Sequence, residues 1–369
     1  MNQFMPGLEL NRLFYMEVVQ PLLAARFPDV AYSSGLLGYG SDVLGYDTAI
    51  STDHEWGPRL LIFLREEEYP KLHQAIGETL SRELPPSFRG YPTNFSEPAG
   101  GGVGVRLLEP GEAGQINHHI SVMTVAGFLE WELGVRSANS ISPRAWLTFP
   151  EQKLLEMTAG AVYHDSLQQL ETLRQRLSYY PDDVWVYRLA SQWQRISQEE
   201  AFVGRCGDVG DELGSRIVAT RLVREVMRLC FLLERRYAPY SKWFGTAFTR
   251  LACSGQLGPR LTAALAASSW QKRQGHLADA YEAVARMQNA LALTEPLDPT
   301  PRRYHDRPYR VIHAERFANA LSATIRDEEL RRIVETIGLV GAVDQFADST
   351  DILAHAGRSR RLGDFLSED

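Results

Sequence analysis

Cysteine is scarce in this chain: Cys206, Cys230 and Cys253 are the only three in 369 residues. None belongs to a Cys-x-x-Cys pair and the number is odd, which speaks against a disulfide framework or a zinc knuckle. Cys230 sits inside the apolar run 227–233 and is expected simply to pack there, a usage that suits a reducing cytoplasm. No stretch of about 18 apolar residues occurs, so no membrane span is expected. The N-terminus (Met1-Asn-Gln-Phe-Met-Pro) lacks the basic and apolar regions of a secretion signal. These features lead to the expectation of a soluble, cytoplasmic protein. Basic charge is also in short supply, with 39 Lys and Arg against 46 Asp and Glu and a net charge of −7. That argues against a broad nucleic-acid-binding surface while leaving room for a local basic pocket. No internal repeat at a fixed period is found.

What is present is the patterning of an ordinary globular protein, 44% hydrophobic and 23% charged. Apolar residues from Leu8 to Phe27 follow a helical period, with Pro21 predicting a kink or break. Leu60 to Leu64 is a continuous apolar run of the kind that forms a buried strand. Glu66 to Leu84 reads as an amphipathic helix closed by Pro85-Pro86. Residues 87–114 are rich in loop signals, including the glycine cluster 100–104. Ile116 to Val125 has strand character, and Phe128 to Leu133 extends it or starts a helix. After Pro150 helical periodicity dominates: Leu154 to Leu177, Asp183 to Phe202, Arg216 to Tyr237, Tyr240 to Ala252, Pro259 to Ser269 and His276 to Leu293. A Pro- and Asp-rich linker at 295–301 precedes two last helices, Ala314 to Ile325 and Glu328 to Ile337. The expected fold class is therefore α+β: a small mixed-sheet domain over 1–150, a large all-α domain over 151–340, and a polar tail over 341–369.

One constellation carries chemistry. Gly40-Ser41 is followed, after eleven residues, by Asp53-His54-Glu55 and then by the strand from Leu60. Glycine lets a tight turn bring backbone amides close to a phosphate chain. Two carboxylates two residues apart beside a strand are expected on one face, where both can reach one cluster of hard cations. Read alone, Gly40-Ser41 is an ordinary turn and Asp53 and Glu55 a solvated loop; their combination gives the functional reading. His54, between the acids, is expected to face away in a structural role. Asp42 is read as the N-cap of a helix after the turn, ahead of a metal ligand. Arg59 is expected to pair with a phosphate or with Asp53. The arginines at 221, 224, 228, 235 and 236 form either a solvated helix face or the edge of a phosphate cleft.

This pattern resembles the DNA polymerase β-like nucleotidyltransferase superfamily, which includes the aminoglycoside and lincosamide nucleotidyltransferases. The fuller string around Gly40-Ser41 and Asp53-His-Glu-Trp-Gly-Pro-Arg59 looks like a largely uncharacterised bacterial branch of it. In that branch the likeness continues through Tyr180-Pro-Asp-Asp-Val-Trp185, Gly210-Asp-Glu-Leu-Gly-Ser215 and Pro239-Tyr-Ser-Lys-Trp-Phe244. The resemblance implies that Gly40 and Ser41 contact the triphosphate and that Asp53 and Glu55 bind Mg2+ as the catalytic pair. It further implies that Lys242, set among aromatics, meets the triphosphate; a surface lysine lying on an aromatic helix face is the plain alternative.

The implied reaction is Mg2+-dependent transfer of an NMP group from an NTP, ATP first, to a hydroxyl of a small-molecule acceptor. A protein or tRNA acceptor is the variant of this reading, and no membrane partner is expected. Tyr187, Trp193 and Trp243 are expected to line an apolar wall for the acceptor. The superfamily places a third carboxylate on a later strand, yet Asn117 to Val125 holds no acid. His119 or Ser121 stands in, or Asp165 arrives from elsewhere, or the module binds nucleotide or protein without turnover. His118 and His119 are expected on opposite faces of their strand. His164-Asp165 does not complete a metal phosphohydrolase set, and Gly38-x-Gly40 lacks the third glycine of a dinucleotide fingerprint.

Overall fold

A computed structural model describes residues 4–97 and 105–366, leaving the glycine cluster 100–104 outside. The chain is α+β, with a small mixed sheet and a large helical region. It divides into two compact units: Met1–Ser140 with Lys153–Ser178, and Ile141–Gln152 with Tyr179–Asp369. Among the described residues no helix is long and apolar enough to cross a membrane.

The sheet of the first unit has four strands in the order His119–Thr124, Arg59–Leu64, Ser33–Leu36, Ala161–Asp165. The first two are parallel; Ser33–Leu36 runs antiparallel to both of its neighbours. Strand period divides the residues of Arg59–Leu64 between two faces. Leu60, Ile62 and Leu64 enter the core with Leu10, Phe14, Tyr15, Ile76 and Leu80. Arg59, Leu61 and Phe63 take the other face, where Phe63 meets Phe128 edge-on at 5.5 Å between ring centres. The register pairs Arg59 with His119, Leu61 with Ser121 and Phe63 with Met123, so those partners share this second face.

The expected N-terminal helix forms without a break. Gly7–Phe14 and Gln20–Arg26 are joined by a π-helical stretch, Tyr15–Val19. Pro21 has no N–H and its ring crowds the preceding turn, and the wider π turn absorbs both defects. The strand from Leu60 and the helix after Glu66 form as expected, the latter over Tyr69–Glu83. Val125–Leu133 is a helix started by the Thr124 side chain and stopped at Gly134.

One stretch read as helical is corrected. Within Leu154 to Leu177 the chain leaves the helix Glu151–Thr158, turns at Gly160 (φ +72°), and forms the edge strand Ala161–Asp165 before the helix Leu170–Arg176. Ser33–Leu36 offers this segment an open edge, and pairing with it outweighs local helical preference.

In the second unit the expected helices appear as Asp182–Glu199, Glu212–Leu233, Ser241–Phe248, Ser254–Ala266, Trp270–Ala290, Glu315–Ser322 and Glu328–Ile337. A hairpin, Arg302–Tyr304 with Arg307–Val311, occupies a segment not anticipated as strand, and it buries Tyr309 and Val311 against Ala201. The segment read as a polar tail begins inside the core. Ala342 and Val343 are fully buried, and Gln345 bonds to Arg188 O and Gln192 Oε1. Cys230 and Cys253 are buried and unbridged.

Candidate active site

The site is assembled where the strand Ser33–Leu36 ends and the strands Arg59–Leu64 and His119–Thr124 begin. Leaving the first strand, the chain bends through Gly38 (φ +89°) and Gly40 (φ +132°). A Cβ at Gly40 would collide with Arg59 Nη2 and Asp42 Oδ1, so glycine is required by space as well as by φ. Beneath the turn lies a buried ion pair: Arg59 Nη2 donates to Asp42 Oδ1 at 2.7 Å and to Tyr39 O at 2.7 Å, and Nε donates to Asp42 Oδ2 at 3.2 Å.

This pair corrects two expectations. Arg59 is joined to Asp42, not to Asp53. Asp42 caps no helix, because Ser41 to Gly45 forms only a tight turn, and its Oδ1 accepts the Val43 N–H at 3.0 Å. A fully buried carboxylate needs a cationic partner, and Arg59 is the one in reach.

Gly40 and Ser41 hold the turn through backbone bonds, Leu44 N to Gly40 O and Tyr46 N to Ser41 O. The far end of the loop is pinned by Asp47, whose Oδ2 accepts from Gly7 N at 2.7 Å and Trp56 Nε1 at 3.0 Å. Asp53 ends the 3-10 helix Ala49–Asp53, with 63% of its side chain exposed and its Oδ1 2.9 Å from His54 Nδ1.

Glu55 is turned inward. Its φ is +49°, an unfavourable value for a residue with a Cβ and one that tends to mark functional sites. Backbone bonds to Arg106 hold it on two sides: Glu55 N to Arg106 O at 2.9 Å, and Arg106 N to Glu55 Oε1 at 2.8 Å. The Tyr39 hydroxyl donates to Glu55 Oε2 at 3.0 Å and lies 3.2 Å from His119 Nε2. The expected arrangement of the two acids by strand alternation is not what places them. Gly57-Pro58 delays the strand to Arg59, so a 3-10 end and a left-handed residue set their directions.

His119 lies on the cavity face and His118 elsewhere, with Nε2 3.0 Å from Gly77 O. Burial first, then the charges of Arg59, Arg106 and His118, push the His119 pKa down to about 3, so its imidazole is neutral at ordinary pH. Tyr39 is pushed up to about 12, chiefly by burial. Asp165 is engaged elsewhere: Oδ1 accepts from Ser33 Oγ at 2.5 Å and Gln169 N at 3.2 Å, and Oδ2 from Glu171 N at 3.1 Å. It pairs with Ser33, at the end of Ser33–Leu36 away from the glycine turn.

Beside the Gly38–Tyr39 bend, the sheet face carries a cavity of about 300 Å³ lined by Leu37, Tyr39, Ser121, Met123, Phe128 and Glu132, among others. Tyr39, Asp47, Glu132 and the Arg106 backbone were not singled out from sequence. Tyr39 alone carried a signal, standing between two glycines.

In the second unit Lys242 is exposed, its Nζ 5.0 Å from the centre of the Trp243 ring. Two of the three aromatics expected to line an acceptor wall are core residues instead. Trp193 is fully buried, stacked on Phe317 at 4.5 Å and donating to Gln288 Oε1 at 3.2 Å. Tyr187 is also fully buried, its hydroxyl accepting from Gly341 N at 3.3 Å. Helical spacing turned both toward the unit's centre. Arginines of Glu212–Leu233 and just beyond it are engaged at the surface: Arg221 with Glu199 at 2.7 Å, Arg224 with Asp348, Arg235 with Asp182 at 2.8 Å.

Comparison with known proteins gives two findings. Residues 146–244 match a family described as a domain of unknown function, DUF4037. Among solved structures the chain is similar to a nucleotidyltransferase-like protein from Exiguobacterium sibiricum, at 10% identity over 81% of this chain and 83% of that one, with a TM-score of 0.34. No curated protein matches.

Proposed function

We propose that the first unit binds a nucleoside triphosphate with Mg2+ and transfers its nucleotidyl group to an acceptor hydroxyl. The observation that carries this reading is the Tyr39–Glu55 hydrogen bond. It joins Tyr39, within the glycine turn, to Glu55, one member of the acidic pair. The left-handed backbone of Glu55 adds support, since such a conformation is kept only where surrounding structure holds it.

Asp53 and Glu55 are oxygen donors of the kind a hard divalent cation takes. Among the described residues no group of three or more His, Cys, Asp or Glu side chains is placed to hold a metal. The chain would supply Asp53 and Glu55, with phosphate oxygens and water completing the shell, the arrangement usual for Mg2+. Bound there, Mg2+ would neutralise the triphosphate and stabilise charge on the leaving oxygens. Gly40 and Ser41 would present backbone amides to the phosphates, and Tyr39 would hold Glu55 in place. Arg59 supports the turn from below through Asp42 and the Tyr39 carbonyl. The acceptor oxygen bonds to the α-phosphorus, the bridging bond to the β-phosphate breaks, pyrophosphate leaves, and the hydroxyl proton passes to solvent.

A second reading, nucleotide binding without turnover, is favoured by one observation: the strand beside the site offers His119 and Ser121 and no acid. Thermal shift with each NTP and Mg2+, beside the Asp53→Ala/Glu55→Ala variant, tests the site. Pyrophosphate release separates transferase from binder. Stabilisation by no nucleotide would remove both readings.

A further inference from the structure

The hairpin Arg302–Tyr304 with Arg307–Val311 carries four arginines on two short strands. Strand alternation sends Tyr309 and Val311 into the core and leaves Arg310, between them, in solvent. The register sets Arg303 directly opposite Arg310, and both are exposed. Residues facing each other across a ladder share a face, and like charges so placed are destabilising. Arg302 is answered by Asp298, with Nη2 2.8 Å from Oδ2. Among the described residues no side chain pairs with Arg303, Arg307 or Arg310. Charge does guard an open strand edge, but matched pairs would serve there without opposing two cations.

The underside of the hairpin is firmly seated. The Tyr309 hydroxyl donates to Asp208 Oδ2 at 3.1 Å, and its ring meets Trp270 edge-on at 6.3 Å. Three rings cluster beside the arginines. Tyr304, paired with Arg307 in the ladder, lies 4.6 Å from the His305 ring and 6.2 Å from that of His313, centre to centre. His305 is exposed, and Tyr304 and His313 are half-buried. Unpaired guanidinium groups fit phosphate oxygens, and aromatic faces fit unstacked bases. An acidic peptide would satisfy the arginines and leave the rings unused. A duplex would keep its bases out of their reach. The chain as a whole has a net charge of −7, so such affinity is local.

We infer that this hairpin is a docking surface for single-stranded nucleic acid, its phosphates met by Arg303, Arg307 and Arg310 and its bases by Tyr304 and His305. The surface lies wholly within the second unit and is independent of the nucleotidyl-transfer reading. Phosphates and base faces are common to RNA and DNA, so both should bind alike.

Fluorescence anisotropy on the full chain tests it with short labelled oligo(dT) and oligo(rU) at low salt. Three phosphate contacts on a single strand give a slope of log affinity against log salt of about −2. Arg303→Ala/Arg307→Ala/Arg310→Ala, at exposed positions, should weaken binding at least tenfold and bring that slope near zero. Tyr304→Leu, which keeps an apolar side chain against the hairpin's core, should weaken it several-fold and leave the slope unchanged. A duplex of the same length should bind more weakly, and polyglutamate should displace the strand poorly. Binding of neither oligonucleotide, binding confined to one sugar, or affinity untouched in the arginine variant would overturn the inference. So would a duplex that binds as tightly as the single strand. Displacement by polyglutamate as ready as by unlabelled oligo(dT) would overturn it too, in favour of an acidic polypeptide. If Tyr304→Leu fails to fold, the duplex comparison and the arginine variant decide. The Asp53→Ala/Glu55→Ala protein should still bind oligo(dT). Stabilisation by an NTP without oligonucleotide binding would remove this surface alone, and oligonucleotide binding without NTP stabilisation would remove the transferase reading alone.

Discussion

The Tyr39 hydroxyl donates a 3.0 Å hydrogen bond to Glu55 Oε2, joining two residues that sit on opposite sides of the loop between the first two strands of the sheet. The bond fixes where one acid of the proposed pair points, while Asp53 remains solvated beside it. Tyr39 thus acts as a positioning residue. Tyr39→Phe should shift the Mg2+ concentration needed for nucleotide stabilisation upward several-fold, while unfolding free energy falls by only about 1 kcal/mol. An unchanged Mg2+ dependence, measured by thermal shift at fixed ATP, would show that the bond does not serve the site.

Gly40 is held at φ +132° with Arg59 and Asp42 directly against it. Gly40→Ala should lower stability by about 2–4 kcal/mol, because a Cβ both strains the backbone and displaces a buried ion pair. Urea unfolding measures it, and a loss below about 0.5 kcal/mol would contradict the packing described.

Asp42 and Arg59 are almost inaccessible, 1% and 6% exposed in their side chains. Removing either leaves the other charged and unpaired. Asp42→Asn and Arg59→Met should each cost about 3–5 kcal/mol, and the double variant clearly less than the sum. Additive losses in a double-mutant cycle would show that the two do not act together.

Glu200 of the second unit is buried, its carboxylate accepting from Ile312 N at 2.7 Å and Ala314 N at 3.0 Å. Burial raises its pKa from 4.5 to about 7, against the lowering effect of those two bonds. Between those values the folded protein holds a proton that the unfolded chain has released. Its contribution is therefore complete below pH 4.5 and lost as pH rises to about 7, by at most about 3 kcal/mol. Asp344, raised to about 6 mainly by burial, acts in the same direction. Glu200→Gln should flatten the fall in stability between pH 5 and 7. A wild-type profile that rises over this range, followed by denaturant midpoints, would be the contrary result.

Several elements could be read from residues alone because their signals are local. The apolar run Leu60 to Leu64 has no polar break and became a strand; the helix before Pro85-Pro86 stopped where proline requires. The edge strand Ala161–Asp165 was hidden because all five of its residues are half-buried, leaving no alternation, and helical sequence flanks it. Gly160 was its one local mark. The hairpin Arg302–Val311 was hidden in the same way by its four arginines, Arg302, Arg303, Arg307 and Arg310, charged residues that do not resemble a strand buried at Tyr309 and Val311.

By itself the sequence determined the glycine turn, the strand that follows the acidic pair and the helical character of the second unit, because backbone freedom, apolar runs and proline act over a few residues. Tertiary structure decided which charges meet. Asp42 found Arg59 across seventeen residues, Glu55 found Tyr39 and Arg106, and Glu132 shared Lys153 with Glu156. It also decided that His119 faces the cavity, since parallel pairing with Arg59 sets its side of the sheet. Such partnerships depend on register and burial, which only the folded chain fixes.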